Sequence, residues 1–352
     1  PYIGYPDMHA DEQFYLLVGD RILQGQLPDV DIWDRKPVGI FLLFAAIRYL
    51  GGDGYTQYQL IAAVFVLATC WVLFLIARRY VHSLAALAAA VSYAAWLATL
   101  GGAGGQSPVF YNCLTAIAGY MVIRALESQS RSQNFGWAIG CMALFGVIIQ
   151  TKYTSVIEGV FFGLTLLWSQ YKLAVPSRTI AMHGCVMIAI ALVPTALAFG
   201  FYSAIGQFGP FFYANFISIF ERAPQAGFAL HSNLRTLSLI CLPLLFSLPI
   251  AIYLWAKTSN MNPLKCFILG WLISATVGFA MIGNFFDHYA LPLLLPVFLV
   301  LANLFDRKHS GPLLFLCTII WSLLIADLRV MPKAENLHMF KAMAAQIEPY
   351  TS

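Results

Sequence analysis

Charge is what this chain has least of. Only 10% of its 352 residues are Asp, Glu, Lys or Arg, against 60% hydrophobic, and the mean hydropathy is +0.74. A soluble domain carries about 25% charged residues. A water-soluble globular fold is therefore excluded, and an all-α polytopic membrane protein is expected. Cysteine patterns are missing too. Cys70, Cys113, Cys141, Cys185, Cys241, Cys266 and Cys317 fall in or beside apolar runs, with no Cys-x-x-Cys and no Cys/His cluster. They read as small hydrophobes, not as a disulfide or zinc framework. No internal repeat is visible. Gly101-Gly102-Ala103-Gly104-Gly105 lacks the Lys and Ser/Thr of a phosphate loop and reads as a flexible turn between helices. No nucleic-acid partner is expected.

What is present is a series of long apolar runs. A span needs roughly 20 mostly apolar residues. Ten segments come near that length: 55–77, 83–100, 108–124, 135–151, 153–169, 179–203, 233–256, 264–283, 288–304 and 310–328. The chain then divides into a polar loop with juxtamembrane helices at 1–54, a transmembrane bundle at 55–330 and a short external tail at 331–352. A second external loop with its own surface helix falls at 203–233. The run Val38–Leu50 is too short to cross easily and fits an interfacial or re-entrant helix better. Helical spacing of Phe14, Leu17, Val18, Ile22 and Leu23 predicts a surface helix over His9 to Gln24. The chain opens at Pro1 on a polar stretch, and the expectation is a fragment lacking one N-terminal transmembrane helix.

Loop charge gives an orientation. One set of alternate loops holds Arg78, Arg79, Arg124, Arg131, Lys172, Arg178, Lys257, Lys265, Arg307 and Lys308, with only Glu127 and Asp306 as acids. That basic side is expected to be cytoplasmic. The unusual polar residues all fall on the other side: Asp11, Glu12, Lys36, Gln106, Lys152, Glu221, Arg222, Asn284, Asp287, His288 and Tyr289. A one-sided collection of acids, bases and amides argues for a site at the outer face. Transporters and channels place ionisable residues at mid-span instead, where this chain has almost none.

Each candidate has a bland reading beside the chemical one. Asp11 and Glu12 suit a helix N-terminus, and equally a general base. Asp11 and Tyr15 share a helix face. Lys36, in Asp34-Arg35-Lys36-Pro37, is a fixed cation suited to a phosphate leaving group, and that role outweighs a snorkelling charge. Lys152 is either an interfacial anchor or a second phosphate or sugar contact. Glu158 is either hydrogen-bonded structure or cavity-facing. Arg222 is a phosphate ligand or a local partner of Glu221. His288 and Tyr289 belong to an aromatic belt or hydrogen-bond a carrier phosphate. His9 with Asp11 could hold a divalent metal, on weak ligand evidence.

Three motifs carry a resemblance. Asp11-Glu12 with Tyr15 looks like an Asp-Glu motif. Gly25 to Pro37 looks like a G-x-x-P … W-D-x-K-P loop, with Val38 where a second proline is usual. His288-Tyr289 with Pro292 and Pro296 looks like a late H-Y … P span. Together they resemble the protein mannosyltransferase and lipid A aminoarabinose transferase families, membrane enzymes of the GT-C fold. That resemblance implies about ten transmembrane helices plus interfacial helices around an extracytoplasmic active site in a bacterial plasma membrane. It implies an inverting glycosyltransferase moving a monosaccharide from a polyprenyl-phosphate donor to a glycan, lipid or protein acceptor. Asp11 would be the base, Glu12 would support it or a metal, and Lys36 would bind the lipid-linked phosphate. The alternatives are a transporter or flippase of lipid-linked sugars, and a polysaccharide polymerase or ligase.

Overall fold

The computed structural model describes residues 3–5, 9–221, 227–257, 262–281 and 283–330. Among them there is no strand, only one isolated bridge between Pro28 and Ile32. Two short helices come first: α1 (Ala10–Leu23) and α2 (Val38–Tyr49). They pack side by side in the same direction, Tyr15 on Phe41 and Phe44, and Gly19 lets the two backbones touch. A Cβ there would lie 2.8 Å from the Phe44 carbonyl carbon. An ion pair between Arg48 and Asp20, at 2.5 Å, closes the far end of the pair.

The bundle follows: α3 (Tyr55–Ala77), α4 (Ser83–Thr99), α5 (Ser107–Glu127), α6 (Arg131–Ile149), α7 (Val156–Lys172) and α8 (Ser177–Ala204). A short helix α9 (Phe208–Phe212) runs into a π-helical turn (Tyr213–Ile217). After it come α10 (Gly227–Ile240), α11 (Leu242–Lys257), α12 (Pro263–Met281), a 3₁₀ turn (Asp287–Leu293), α13 (Leu294–Phe305) and α14 (Ser310–Val330). Seven helical segments among the described residues are long and apolar enough to cross a membrane. The pair α10 and α11, bent by 67°, makes an eighth if counted as one span. The remaining two of the ten expected spans are α4 and α7, each 17 residues. All ten runs are thus helical, and the round number ten is approximate as a count of crossings.

Helix α13 is apolar all round and is wrapped by α4, α11, α12 and α14. Lipid is as apolar as leucine, so association inside a bilayer depends on close approach. Small residues supply it: Ala85, Ala86, Ala89 and Ala90 lie buried on one face of α4, and Gly146 of α6 meets Pro194 of α8. A second cluster, Tyr15, Phe41, Phe44, Tyr58 and Phe110, binds α1 and α2 to α3 and α5. The inward face of α1 carries Glu12, Tyr15, Val18 and Gly19. Leu17 and Leu23 are exposed.

The basic residues meet at one end of the bundle, where Arg79 pairs with Glu127, His82 with Asp306, and Arg131 binds the carbonyls of Leu173 and Ala174. The polar loops meet at the opposite end. Residues 331–352, the expected tail, lie outside the described residues.

Candidate functional site

The site is built on the first turn of α1. His9 caps that helix, its Nδ1 accepting from the Asp11 amide at 3.2 Å. Acids in a first turn are favoured by the helix dipole, and the two here diverge by about 100°. Asp11 faces the rim and Glu12 faces the protein.

Lys36 sits between two carboxylates, with its Nζ 3.3 Å from both Asp11 Oδ1 and Asp34 Oδ2. The ammonium also lies 4.9 Å from the centre of the Tyr15 ring, a cation–π contact. The Asp11 and Lys36 side chains are 32% and 24% exposed, so both can be reached from outside. Burial pushes the Asp11 carboxyl up, but Lys36, then His9 and His288, outweigh it and hold it below its ordinary value. Asp11 is an anion at neutral pH.

Glu12 is the opposite case. It is 1% exposed, and burial pushes its carboxyl up to about 7. The amides of Gly105 and Gln106 and the Tyr58 hydroxyl are directed at it without closing a full hydrogen bond. The glycine run lies directly over it: a Cβ on Gly104 would stand 2.2 Å from Glu12 Oε2, and one on Gly101 would stand 3.7 Å from His288 Cβ. This segment, between α4 and α5, is a packed floor to the site and not the loose turn expected. Only glycine admits so close an approach.

The late H-Y motif arrives on the 3₁₀ turn. The His288 ring meets the His9 ring edge-on at 5.1 Å and Tyr289 at 4.6 Å. Lys152 lies over the Tyr289 ring, 4.7 Å from its centre. Lys36, Asp11, His9, His288, Tyr289 and Lys152 therefore form one continuous rim drawn from four separate segments. Arg222 lies outside the described residues. Glu158 is not on the rim. It is buried in α7 and accepts from the Trp271 indole at 2.7 Å, which is its structural reading.

Three contributors escaped sequence reading. Arg329, near the end of α14, bonds Asp287 at 2.9 Å, and Asp287 accepts from the His288 amide at 2.8 Å. The available signal was a basic residue at the acidic end of the last span. Asp34 was visible only as part of its motif. Asp29, buried with Asn215, had no signal at all.

No three His, Cys, Asp or Glu side chains among the described residues gather to hold a metal ion. The reason is local: Glu12 points away from Asp11, and His9 Nδ1 is occupied by its capping bond. This donor set does not suit a metal, and none enters the chemistry below.

Near the rim, though lined by none of its residues, is a cavity of about 590 Å³. It is lined by Ile22, Leu27, Leu42, Val147, Leu197 and Phe201 among others, almost wholly apolar, between α1, α2, α6 and α8. Val38 and Gln150, on its wall, stand two residues from Lys36 and Lys152 respectively.

Residues 35–199 match the family described as dolichyl-phosphate-mannose-protein mannosyltransferase. That range includes Lys36, the glycine floor and Lys152; Asp11, Glu12 and His288 lie beyond it. No curated protein matches the chain. Among solved structures, ArnT from Cupriavidus metallidurans bound to undecaprenyl phosphate has a TM-score of 0.66 at 18% identity, over 91% of this chain and 60% of ArnT. The apo form of the same protein has a TM-score of 0.63 at 18% identity, over 86% and 56%. The chain spans about 60% of the length of the ArnT it matches. It has the GT-C fold and is similar, in its first half, to the mannosyltransferase family.

Proposed function

We propose that this protein is an inverting glycosyltransferase that takes a monosaccharide from a polyprenyl-phosphate donor and passes it to a hydroxyl of a glycan, lipid or protein acceptor at the non-cytoplasmic face. The observation that carries the reading is the Lys36–Asp11 pair: a cation fit for a phosphate and a base fit for a hydroxyl, 3.3 Å apart, near an apolar cavity. The ArnT match, bound to undecaprenyl phosphate, supports the donor class.

In the proposed reaction the acceptor oxygen forms a bond to the sugar C1 while the C1–O bond to phosphate breaks. Asp11 takes the hydroxyl proton and the polyprenyl phosphate leaves with the bonding pair. Lys36 has two roles. In the empty site it neutralises Asp11. When the donor arrives, its phosphate competes for the ammonium, and the basicity of Asp11 rises where the proton must go. Lys152 and His288, farther along the rim, add positive charge or hydrogen bonds to the leaving phosphate. Near-neutral Glu12 sets the floor on which Asp11 rests. The cavity, about 590 Å³, would take part of the isoprenoid tail and hold C1 in place.

The test is transfer of label from radiolabelled polyprenyl-phosphate sugars in membranes carrying the full-length protein. Asp11→Asn should remove transfer while leaving the protein folded. Full activity in that variant would take Asp11 out of the mechanism. Translocation of the same lipids into vesicles without transfer would favour a flippase.

A further inference from the structure

Three unusual features converge at one buried point beside the rim. Asp29, 2% exposed, has a left-handed backbone (φ 65°), a region non-glycine residues seldom enter although Asp and Asn tolerate it best. Asn215, also buried, sits in the π-helical turn after α9, where the Ser218 amide bonds back to the Tyr213 carbonyl at 2.9 Å. Such turns recur at functional sites. Tyr153 follows Lys152 directly.

The three side chains form one hydrogen-bonded line. The Tyr153 hydroxyl donates to Asn215 Oδ1 at 2.7 Å. Asn215 Nδ2 donates to Asp29 Oδ2 at 2.7 Å and to the Phe211 carbonyl at 3.0 Å. Every function of the amide is used, and its orientation is fixed by its partners. Tyr202 closes the same junction, donating to the Pro28 carbonyl at 2.9 Å and stacking on Phe211 at 4.2 Å. A buried carboxyl is an expensive way to close a loop, and no cation bonds it among the described residues. Its position explains it: Lys36 lies seven residues beyond Asp29, and Lys152 one residue before Tyr153.

We infer that Asp29 is a positioning residue: through Asn215 and Tyr153 it locks the 27–36 loop, the 207–221 loop and the 150–155 turn together, and so fixes Lys36 relative to Lys152. This rests on the proposed phosphate role of the two lysines, but the lock itself can be tested without it.

Hydrogen-bond polarity supplies the test. Asp29→Asn keeps an acceptor for Asn215 and should preserve the lock. Above about pH 8, where Asp29 no longer keeps the proton that burial holds on it up to about 7, Asn215→Asp puts two acceptors face to face and should break it. The exchange D29N/N215D rebuilds it, since Asn at 29 can donate to a carboxylate at 215 that still accepts from Tyr153. Two readouts are needed. The first is the dissociation constant for undecaprenyl phosphate, by native mass spectrometry. The second is the distance distribution between spin labels at the exposed positions Trp33 and Ile219, with the native cysteines replaced. At that pH N215D should widen the distribution and weaken binding about tenfold, the effect of losing one hydrogen bond. D29N should match wild type, and the exchange should recover most of both losses.

Wild-type values in N215D, or no recovery in the exchange, would overturn the lock. So would a loss of thermal stability that left distances and affinity unchanged. Should N215D fail to fold, Tyr153→Phe removes only the hydroxyl and must widen the same distribution. If wild-type protein does not bind undecaprenyl phosphate, the donor reading fails, while the label distances still decide the lock.

Discussion

Gly39 is where the two lysine-bearing segments touch, and replacing it tests whether their separation matters. It follows Lys36 by three residues and lies in the first turn of α2. A Cβ added there would stand 2.5 Å from the Gln150 carbonyl oxygen and 2.6 Å from Gln150 Cβ, where ordinary contact begins at 3.4 Å. The segments must part by about 1 Å to admit it. Neither side yields easily. Gln150 is held by its side-chain bond to Thr195 at 2.8 Å, and Ile40, Phe41 and Phe44 of α2 are wholly buried. Overpacking of this kind costs ~1–3 kcal/mol, reduced by the up to ~1 kcal/mol that alanine gains over glycine in a helix. Gly136 in α6 is the matched control, for a Cβ there meets nothing within 4 Å. Gly136→Ala should raise the thermal midpoint in detergent and Gly39→Ala should lower it. A 1 Å displacement near reacting groups costs about a hundredfold in rate, so Gly39→Ala should also lose about that much sugar transfer, with Gly136→Ala unaffected. A Gly39→Ala protein with wild-type midpoint and wild-type transfer would refute the idea that this contact sets the distance between Lys36 and Lys152.

Two further outcomes follow from the charges. Lys36→Gln should cost under ~1 kcal/mol of stability, since the pair it breaks is partly exposed. It should also leave burial dominant at Asp11, so the acid limb of any residual pH–rate profile moves to higher pH; an unmoved limb would mean that Lys36 does not hold Asp11 anionic. Asp29→Asn reports through stability. Burial pushes the Asp29 carboxyl from 3.8 up to about 7, so the folded state keeps a proton that the unfolded chain releases. The stabilisation is complete below about pH 4 and is lost as pH rises to about 7, by an amount of order 4 kcal/mol. Asparagine has no such titration. The wild-type thermal midpoint should fall relative to Asp29→Asn between pH 5 and pH 8, and parallel profiles would contradict the assignment.

Composition and hydropathy were enough to find the helices, because a bilayer lets each span declare itself by length. Every one of the ten apolar runs is helical, and the two short helices ahead of them lie where residue spacing (α1) and a short apolar run (α2) put them. What hydropathy could not supply was the assembly. Helix α13 looks like any other span in sequence, yet it is the buried axis of the bundle. α8 is longer and as apolar, yet only Met187 and Tyr202 are buried in it. The difference lies in which neighbours carry alanine and glycine faces, a property of pairs of helices that no single run displays. The glycine floor was misread for the same reason. Gly104 means looseness when read alone, but close approach once Glu12 is known to lie beneath it.

The site was partly legible because its residues interrupt an otherwise uncharged chain, and their one-sidedness survived folding. Their individual roles were not legible, and Asp11 with Glu12 shows why. As neighbours in sequence they have nearly the same intrinsic acidity, so a motif treats them as a pair. The helix separates them by about 100°, and everything distinctive follows from that turn. One carboxyl meets Lys36 and stays ionised; the other enters the protein under Gly104 and Gly105, where burial moves it to about 7. A base must be an anion with access to its substrate, and only Asp11 satisfies both conditions. Glu12, 1% exposed, lacks the access, and its place against the glycine segment makes it a support for its neighbour.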